Sequence, residues 1–175
     1  MRLISSSLSV AFLLASLLTS LLALTACASR DPQTPKEVIR LDLSVVASAG
    51  VNPDSQKRPA PIVVRVYELR TDSTFATADY FSLQDKDKTL LADDLVRRDE
   101  FQLRPGEKKI IERKIDPGTT RLGILAAYRD LPNSVWRVVY TVPTTPDAAW
   151  YYRSPKLKLN VDLDTNAIKV TEGKS

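Results

Sequence analysis

The residues of this chain with chemical potential are few. Its 175 residues contain one cysteine, Cys27, and no histidine. Without histidine there is no Ser-His-Asp or Cys-His centre, no histidine-ligated zinc and no imidazole pH switch. One cysteine allows neither an intrachain disulfide nor a cysteine metal cluster. Asp85, Asp87, Asp93 and Asp94 are the densest carboxylates. They alternate with Lys86 and Lys88 and lack the ligand ladder and glycine turn of a calcium loop, so they read as a solvated polar segment. Acid–base chemistry on Asp, Glu, Tyr or Lys remains possible in principle, but no carboxylate pair is marked. Five glycines leave little room for a phosphate loop. The net charge of +4 and pI of about 9.2 come from cations scattered among acids, as in Glu107-Lys108-Lys109. That reads as a solvated surface rather than a nucleic-acid stripe, with attraction to anionic membrane headgroups as the other reading. The expectation is a protein without catalytic centre, cofactor, metal or nucleic-acid partner.

Cys27 is the exception. It ends a run, Leu8 to Leu24 and then Thr25-Ala26, that carries no charge, and Met1-Arg2 supplies a small positive start. Small residues before a cysteine suit a signal peptidase pocket. The Leu24-Thr25-Ala26-Cys27 segment resembles a bacterial lipobox. The resemblance implies a thiol alkylated by diacylglycerol, cleavage before Cys27 and acylation of the new amino group. Residues 1–26 would be removed, and several acyl chains on one residue would anchor far more firmly than one. Ala28 rather than Asp after the cysteine implies, by the enteric sorting pattern, the outer membrane. An uncleaved spanning helix, at about 20 residues, and a buried free cysteine are the other readings.

Elements must then position whatever the rest of the chain does. Residues 27–37, with Pro32 and Pro35, read as a tether, ten residues of which extend at most about 35 Å. From residue 38 the apolar residues recur with period two. Ile39, Leu41, Leu43 and Val45 mark a first strand; Ile62, Val64 and Val66 mark a second, entered through Pro61. Residues 71–98 break the alternation, and Phe75, Tyr80, Leu83, Leu91 and Leu95 cluster as in short helices. Strands resume around the turns Pro105-Gly106 and Pro117-Gly118. The strand at 122–128 is apolar on both faces, which predicts a central place; strands at 135–142, 157–163 and 168–170 follow. This pattern predicts a mainly β domain, residues 38–175: a two-sheet antiparallel β-sandwich with a short helical insertion at about 71–98. Tyr128-Arg129-Asp130 and Trp136-Arg137 read as core aromatics beside ion pairs. Trp150-Tyr151-Tyr152 reads equally as a contact surface or as strand-edge packing. The long loop Ala47–Ala60 between the first two strands is the natural binding element.

Several segments together resemble the TssJ (SciN/VasD) lipoproteins of the type VI secretion system. They are Arg58 to Leu69, Phe75 with Asp79 to Leu83, Glu100 to Glu107, Gly123 to Asp130, and Trp136-Arg137, behind the lipobox. The resemblance implies a transthyretin-like sandwich on the periplasmic face of the outer membrane, held by lipid on Cys27. It implies a non-enzymatic partner of the periplasmic C-terminal region of TssM, an inner-membrane protein, with neither small-molecule substrate nor nucleic acid. It also implies partner contact through the first interstrand loop. Here that loop supplies Gly50, Val51, Asn52, Pro53, Asp54, Ser55, Gln56 and Lys57, with Val51, Asn52 and Pro53 expected at its tip. The alternative is a periplasmic lipoprotein sandwich that binds a small ligand or glycan. A concave pocket with convergent polar groups would favour that alternative.

Overall fold

Alternation of apolar and polar residues places one row of each strand inward, and the computed structural model, which describes residues 37–144 and 154–173, assembles those rows into two facing sheets. Cys27 and Trp150-Tyr151-Tyr152 lie outside the described residues, as do residues 1–36 as a whole. The first sheet contains β1 (Arg40–Ala47), β4 (Lys108–Lys114), β7 (Lys156–Leu163) and β8 (Ile168–Glu172) in the order β4-β1-β7-β8. The second contains β2 (Ile62–Leu69), β3 (Leu95–Leu103), β5 (Arg121–Ala126) and β6 (Arg137–Thr141) in the order β3-β2-β5-β6. Pairing is antiparallel except between β1 and β7, which run parallel. The exception follows from connectivity, because a parallel pair needs a long crossover and most of the chain separates these two strands.

Leu41, Leu43 and Val45 of β1 and Leu157, Leu159 and Val161 of β7 face Ile62, Val64 and Val66 of β2 and Leu122 and Ile124 of β5. Each such side chain contributes about 1.5–3 kcal/mol on burial, and together they fill the space between the sheets. The second face of the β2–β5 pair is also apolar and is covered separately. Between β2 and β3 the chain forms α1 (Ser73–Thr77), α2 (Tyr80–Leu91) and a 3-10 turn at Ala92–Asp94. Phe75, Leu83 and Leu91 pack there on Tyr67, Leu69 and Leu125. Gly123 makes the fit possible: a Cβ there would lie 2.8 Å from the Phe75 ring. Helix α2 starts on Asp79, whose side chain accepts the Ser82 amide at 3.0 Å and caps a free donor of the first turn. The helical part ends at Asp94, because Leu95 already pairs with Leu69 across the sheet.

Two buried charged groups lock this arrangement. Asp87, on α2, is 5% exposed. It accepts the Tyr67 hydroxyl at 2.8 Å and lies 2.8 Å from Arg98 Nε and 3.4 Å from Arg65 Nη1. Asp87 is therefore no part of a solvated acidic segment, as its neighbours suggested, but the bolt between the insertion and the sheet. Burial, then the bond to Asp87, pushes the Tyr67 hydroxyl well above the ordinary tyrosine range. Arg65 also donates to the Leu83 and Gln84 carbonyls at 2.9 Å and to Glu100 at 2.6 Å. Arg137 closes α1 in the same way, donating to the Phe75 and Ala78 carbonyls at 2.6 and 2.7 Å while its guanidinium stacks 4.6 Å from the Trp136 ring. The second group, Glu68, is fully buried at the inner end of β2 and meets Arg113 Nε of the opposite sheet at 2.7 Å.

Candidate functional site

Strand directions sort the connections onto two poles. Glu37–Ile39, the 115–120 turn and the ends of the helical insertion lie at the N-terminal pole, where β1 begins. The loops 48–61, 104–107, 127–136 and 164–167 all lie at the other, the loop pole. Eight-residue strands separate the poles by about 26 Å. The candidate contact loop thus sits at the end opposite the one where the chain enters the domain.

The sequence of this loop explains its conformation. Val51 is fully buried in the main core and pins the backbone there. Asn52 follows in the left-handed region (φ 49°), which asparagine tolerates better than most residues. Its Nδ2 donates to the Pro61 carbonyl at 2.9 Å, its Oδ1 accepts the Arg129 amide at 2.8 Å, and its own amide donates to the Thr165 carbonyl at 3.1 Å. A single residue thereby joins three loops, two through its side chain and the third through its backbone amide. Beyond it, Asp54 builds a tight turn: its carboxylate accepts the amides of Gln56 and Arg58 at 2.9 and 3.0 Å and the Arg58 Nε at 2.8 Å. These bonds, the Arg58 backbone amide foremost, hold the Asp54 carboxyl below the usual aspartate value. Lys57 takes the left-handed position of that turn (φ 62°).

The neighbouring loops are braced as firmly. Asn166 donates to the Asn133 carbonyl at 2.8 Å, Val135 bridges Ala167, and the buried Tyr128 donates its hydroxyl to the Asp164 carbonyl at 3.1 Å. The 104–107 turn has Gly106 at φ 80° after Pro105, with the Glu107 amide closing on the Arg104 carbonyl at 3.0 Å. Among these loops lies an open depression of about 600 Å³, formed by residues 52–55, 128–130 and 165–166. It is open, its lining mixes polar and apolar surface, and it suits a protein surface better than an enclosed ligand.

The structure corrects the expected tip. Val51 and Asn52 are buried at 0% and 3% exposure and Pro53 is half-buried, so all three hold the loop rather than crown it. The exposed crest is Ser55, Gln56, Lys57, Arg58 and Pro59. Gly50 is exposed below it, facing Thr165, and Asp54 is half-buried within the turn. The contributions of Arg129, Asp130, Thr165 and Asn166 to the same surface were not foreseen, because they come from distant parts of the chain. Tyr128 and Trp136 do face the core, but Arg137 caps a helix rather than pairing with an acid. The acids Asp85, Asp87, Asp93 and Asp94 do not converge: Asp87 points to the arginines and Asp94 to Thr71 and Thr74.

The described residues form a two-sheet sandwich with a helical cover and a crest of hydrogen-bonded loops at one pole. Residues 39–166 match the family described as type VI secretion lipoprotein, VasD, EvfM, TssJ, VC_A0113, and the chain belongs to that family. The crystal structure of the T6SS lipoprotein TssJ1 from Pseudomonas aeruginosa is 38% identical, over 79% of this chain and 98% of that one, with a TM-score of 0.72. The Serratia marcescens protein Lip, a membrane-bound component of the type VI secretion system, is 27% identical over 75% of this chain and 96% of its own (TM-score 0.67). A chain of a type VI membrane complex shares the fold at 24% identity, over 78% and 98% of the two chains (TM-score 0.62). Comparison with curated proteins returns no match.

Proposed function

We propose that this chain is a non-enzymatic subunit of the type VI secretion membrane complex, anchored in the outer membrane by lipid on Cys27 and docking the periplasmic C-terminal region of TssM through its loop pole. The observation that carries the reading is the division of the domain into two poles. The chain enters at one, and a loop surface braced by Val51 and Asn52 occupies the other. A lipid at Cys27 and a tether of residues 28–36 leave the loop pole directed away from the membrane, where a partner rooted in the opposite membrane can reach it. Preformed loops favour such a role, because little conformational entropy is lost when a partner binds. Among the described residues no helix is long and apolar enough to cross a membrane. The inward side chains of both sheets, among the described residues, pack against one another in one cluster, which disfavours the ligand- or glycan-binding alternative.

The test is Cys27→Ser in the full chain. It should leave the domain folded, move it from the membrane fraction to the soluble or mislocalised pool and abolish type VI secretion. Normal secretion by that variant would refute the anchor.

A further inference from the structure

On the outer face of the first sheet, three cations stand in one row. Arg40 of β1 is the register partner of Lys114 on β4 and of Lys156 on β7. Paired residues on neighbouring strands project to the same face, with the strands about 4.8 Å apart. Leu41 and Leu157, the next residues along, point into the core, so this row points to solvent, and all three cations are exposed. Among the described residues none of the three forms an ion pair. Like charges set directly opposite one another weaken a sheet, and nothing in the fold requires them here.

Their place gives the row a meaning. It lies at the N-terminal pole, at the first residue of β1 and the last of β4, and borders an open depression of about 380 Å³. Asp42 and Glu112 oppose each other in the next outward-facing row, beside Lys158, and line the same depression, while Glu37 and Asp116 lie at the pole around a neighbouring depression. Asp42 and Glu112 stand about 7 Å further from the pole. A surface laid on this face of the sheet at its pole edge therefore meets the three positive charges before Asp42 and Glu112.

We propose that this row is a docking surface for the phosphate-bearing headgroups of an anionic phospholipid bilayer. The inference rests on the reading of Cys27 as a lipid anchor, since the tether then keeps the N-terminal pole within about 35 Å of the membrane. Tethering raises the effective concentration of headgroups at the row, so contacts that hold a free domain only weakly suffice to orient a tethered one. Seated on this edge, the domain holds its loop pole outward, and the lipid supplies the charge that the sheet itself leaves uncompensated.

The unlipidated domain, residues 28–175, is the material for the test. Its core lies wholly within residues 39–168, and the TssJ1 chain, 98% of it aligned, corresponds to 79% of this chain, so the part folds without the leader. Co-sedimentation with vesicles of phosphatidylglycerol and phosphatidylethanolamine should show association that weakens with salt, and vesicles of phosphatidylcholine alone should show none. Each cation at an anionic surface strengthens association about fivefold, so the combined Arg40→Gln, Lys114→Gln and Lys156→Gln variant should bind about 100-fold more weakly. Lys86→Gln with Lys88→Gln, exposed on α2, should bind as the parent does. Should the triple variant fail to fold by circular dichroism, each single variant should bind about fivefold more weakly. No binding to the anionic vesicles, equal binding to neutral ones, or no loss in the triple or single variants would overturn the proposal. Displacement by inorganic phosphate at matched ionic strength would mark a free-phosphate site instead, and loss of TssM affinity in the triple variant would assign the row to the partner; either result overturns the bilayer assignment. The vesicle assay does not depend on acylation, and palmitate labelling of Cys27 in the full chain reports separately on the anchor.

Discussion

Asn52 carries the geometry of the loop pole, and its replacement has a calculable cost. Asn52→Ala removes two hydrogen bonds, to the Pro61 carbonyl at 2.9 Å and from the Arg129 amide at 2.8 Å. At a net value of about 1 kcal/mol each, that is about 2 kcal/mol. Alanine must also hold φ at 49°, where the Cβ clash adds about 1 kcal/mol. Glycine loses the same bonds without the clash. The expected losses are thus about 3 kcal/mol for Asn52→Ala and about 2 kcal/mol for Asn52→Gly. Urea unfolding reads them as a lowered midpoint with an unchanged slope. For a domain of this size the alanine change lowers Tm by about 10 °C. The Arg129 amide, deprived of its acceptor, should exchange with solvent faster in both variants. An alanine variant within about 0.5 kcal/mol of the parent, or more stable than the glycine variant, would refute the assignment of Asn52 as the brace.

Other consequences follow from the same structure. Asp87→Ala strips the acceptor from Tyr67 and one carboxylate from Arg65 and Arg98, while both arginines keep Glu100. The loss should fall at the low end of the range for a broken buried pair, about 3 kcal/mol by urea unfolding, and should shrink in a Tyr67→Phe background. A stability change under about 1 kcal/mol would contradict the bolt. Acid should act through Asp54 and Glu100. Burial raises the Glu100 carboxyl, but its bond to Arg65 and the charges of Arg65 and Arg98 outweigh this and leave it lowered. Both groups thus titrate below their ordinary values of 3.8 and 4.5. Groups lowered in the folded state stabilise above their unfolded values and lose that contribution as pH falls through the folded ones. Carboxyl titration by NMR should find both midpoints lowered, with the urea midpoint declining only below about pH 4.5; midpoints at or above the ordinary values would contradict the assigned bonds.

The strands were legible because alternation is a local property. Leu41, Leu43 and Val45 announce an inward face wherever the strand ends up. The two apolar faces of β5 likewise announced a central strand, though not what covered its second face; that cover is Phe75, seated over Gly123. The parallel β1–β7 pair was hidden because alternation carries no direction. The loop was found by its length and turn residues, but its crest was misplaced. Val51 and Asn52 look like ordinary loop residues until the core and the Arg129 and Thr165 loops surround them. Asp87 was hidden for a similar reason. Its sequence neighbours are lysines and another acid, whereas its true surroundings, Tyr67, Arg65 and Arg98, arrive from two strands. A helix reading of residues 80–91 with Leu83, Asp87 and Leu91 at spacings of four would have put that carboxylate on the buried face.

The central claim, that the loop crest docks TssM, is tested most directly by calorimetry of the 28–175 domain against the periplasmic C-terminal region of TssM. The variant to compare combines Ser55→Ala, Gln56→Ala and Lys57→Gly, which trims the exposed crest and leaves Val51, Asn52 and Asp54 in place. Binding by the parent domain, weakened at least about tenfold (about 1.4 kcal/mol) in a variant of equal stability, is the predicted result. Unchanged affinity in that variant, or no binding by the parent, would contradict it.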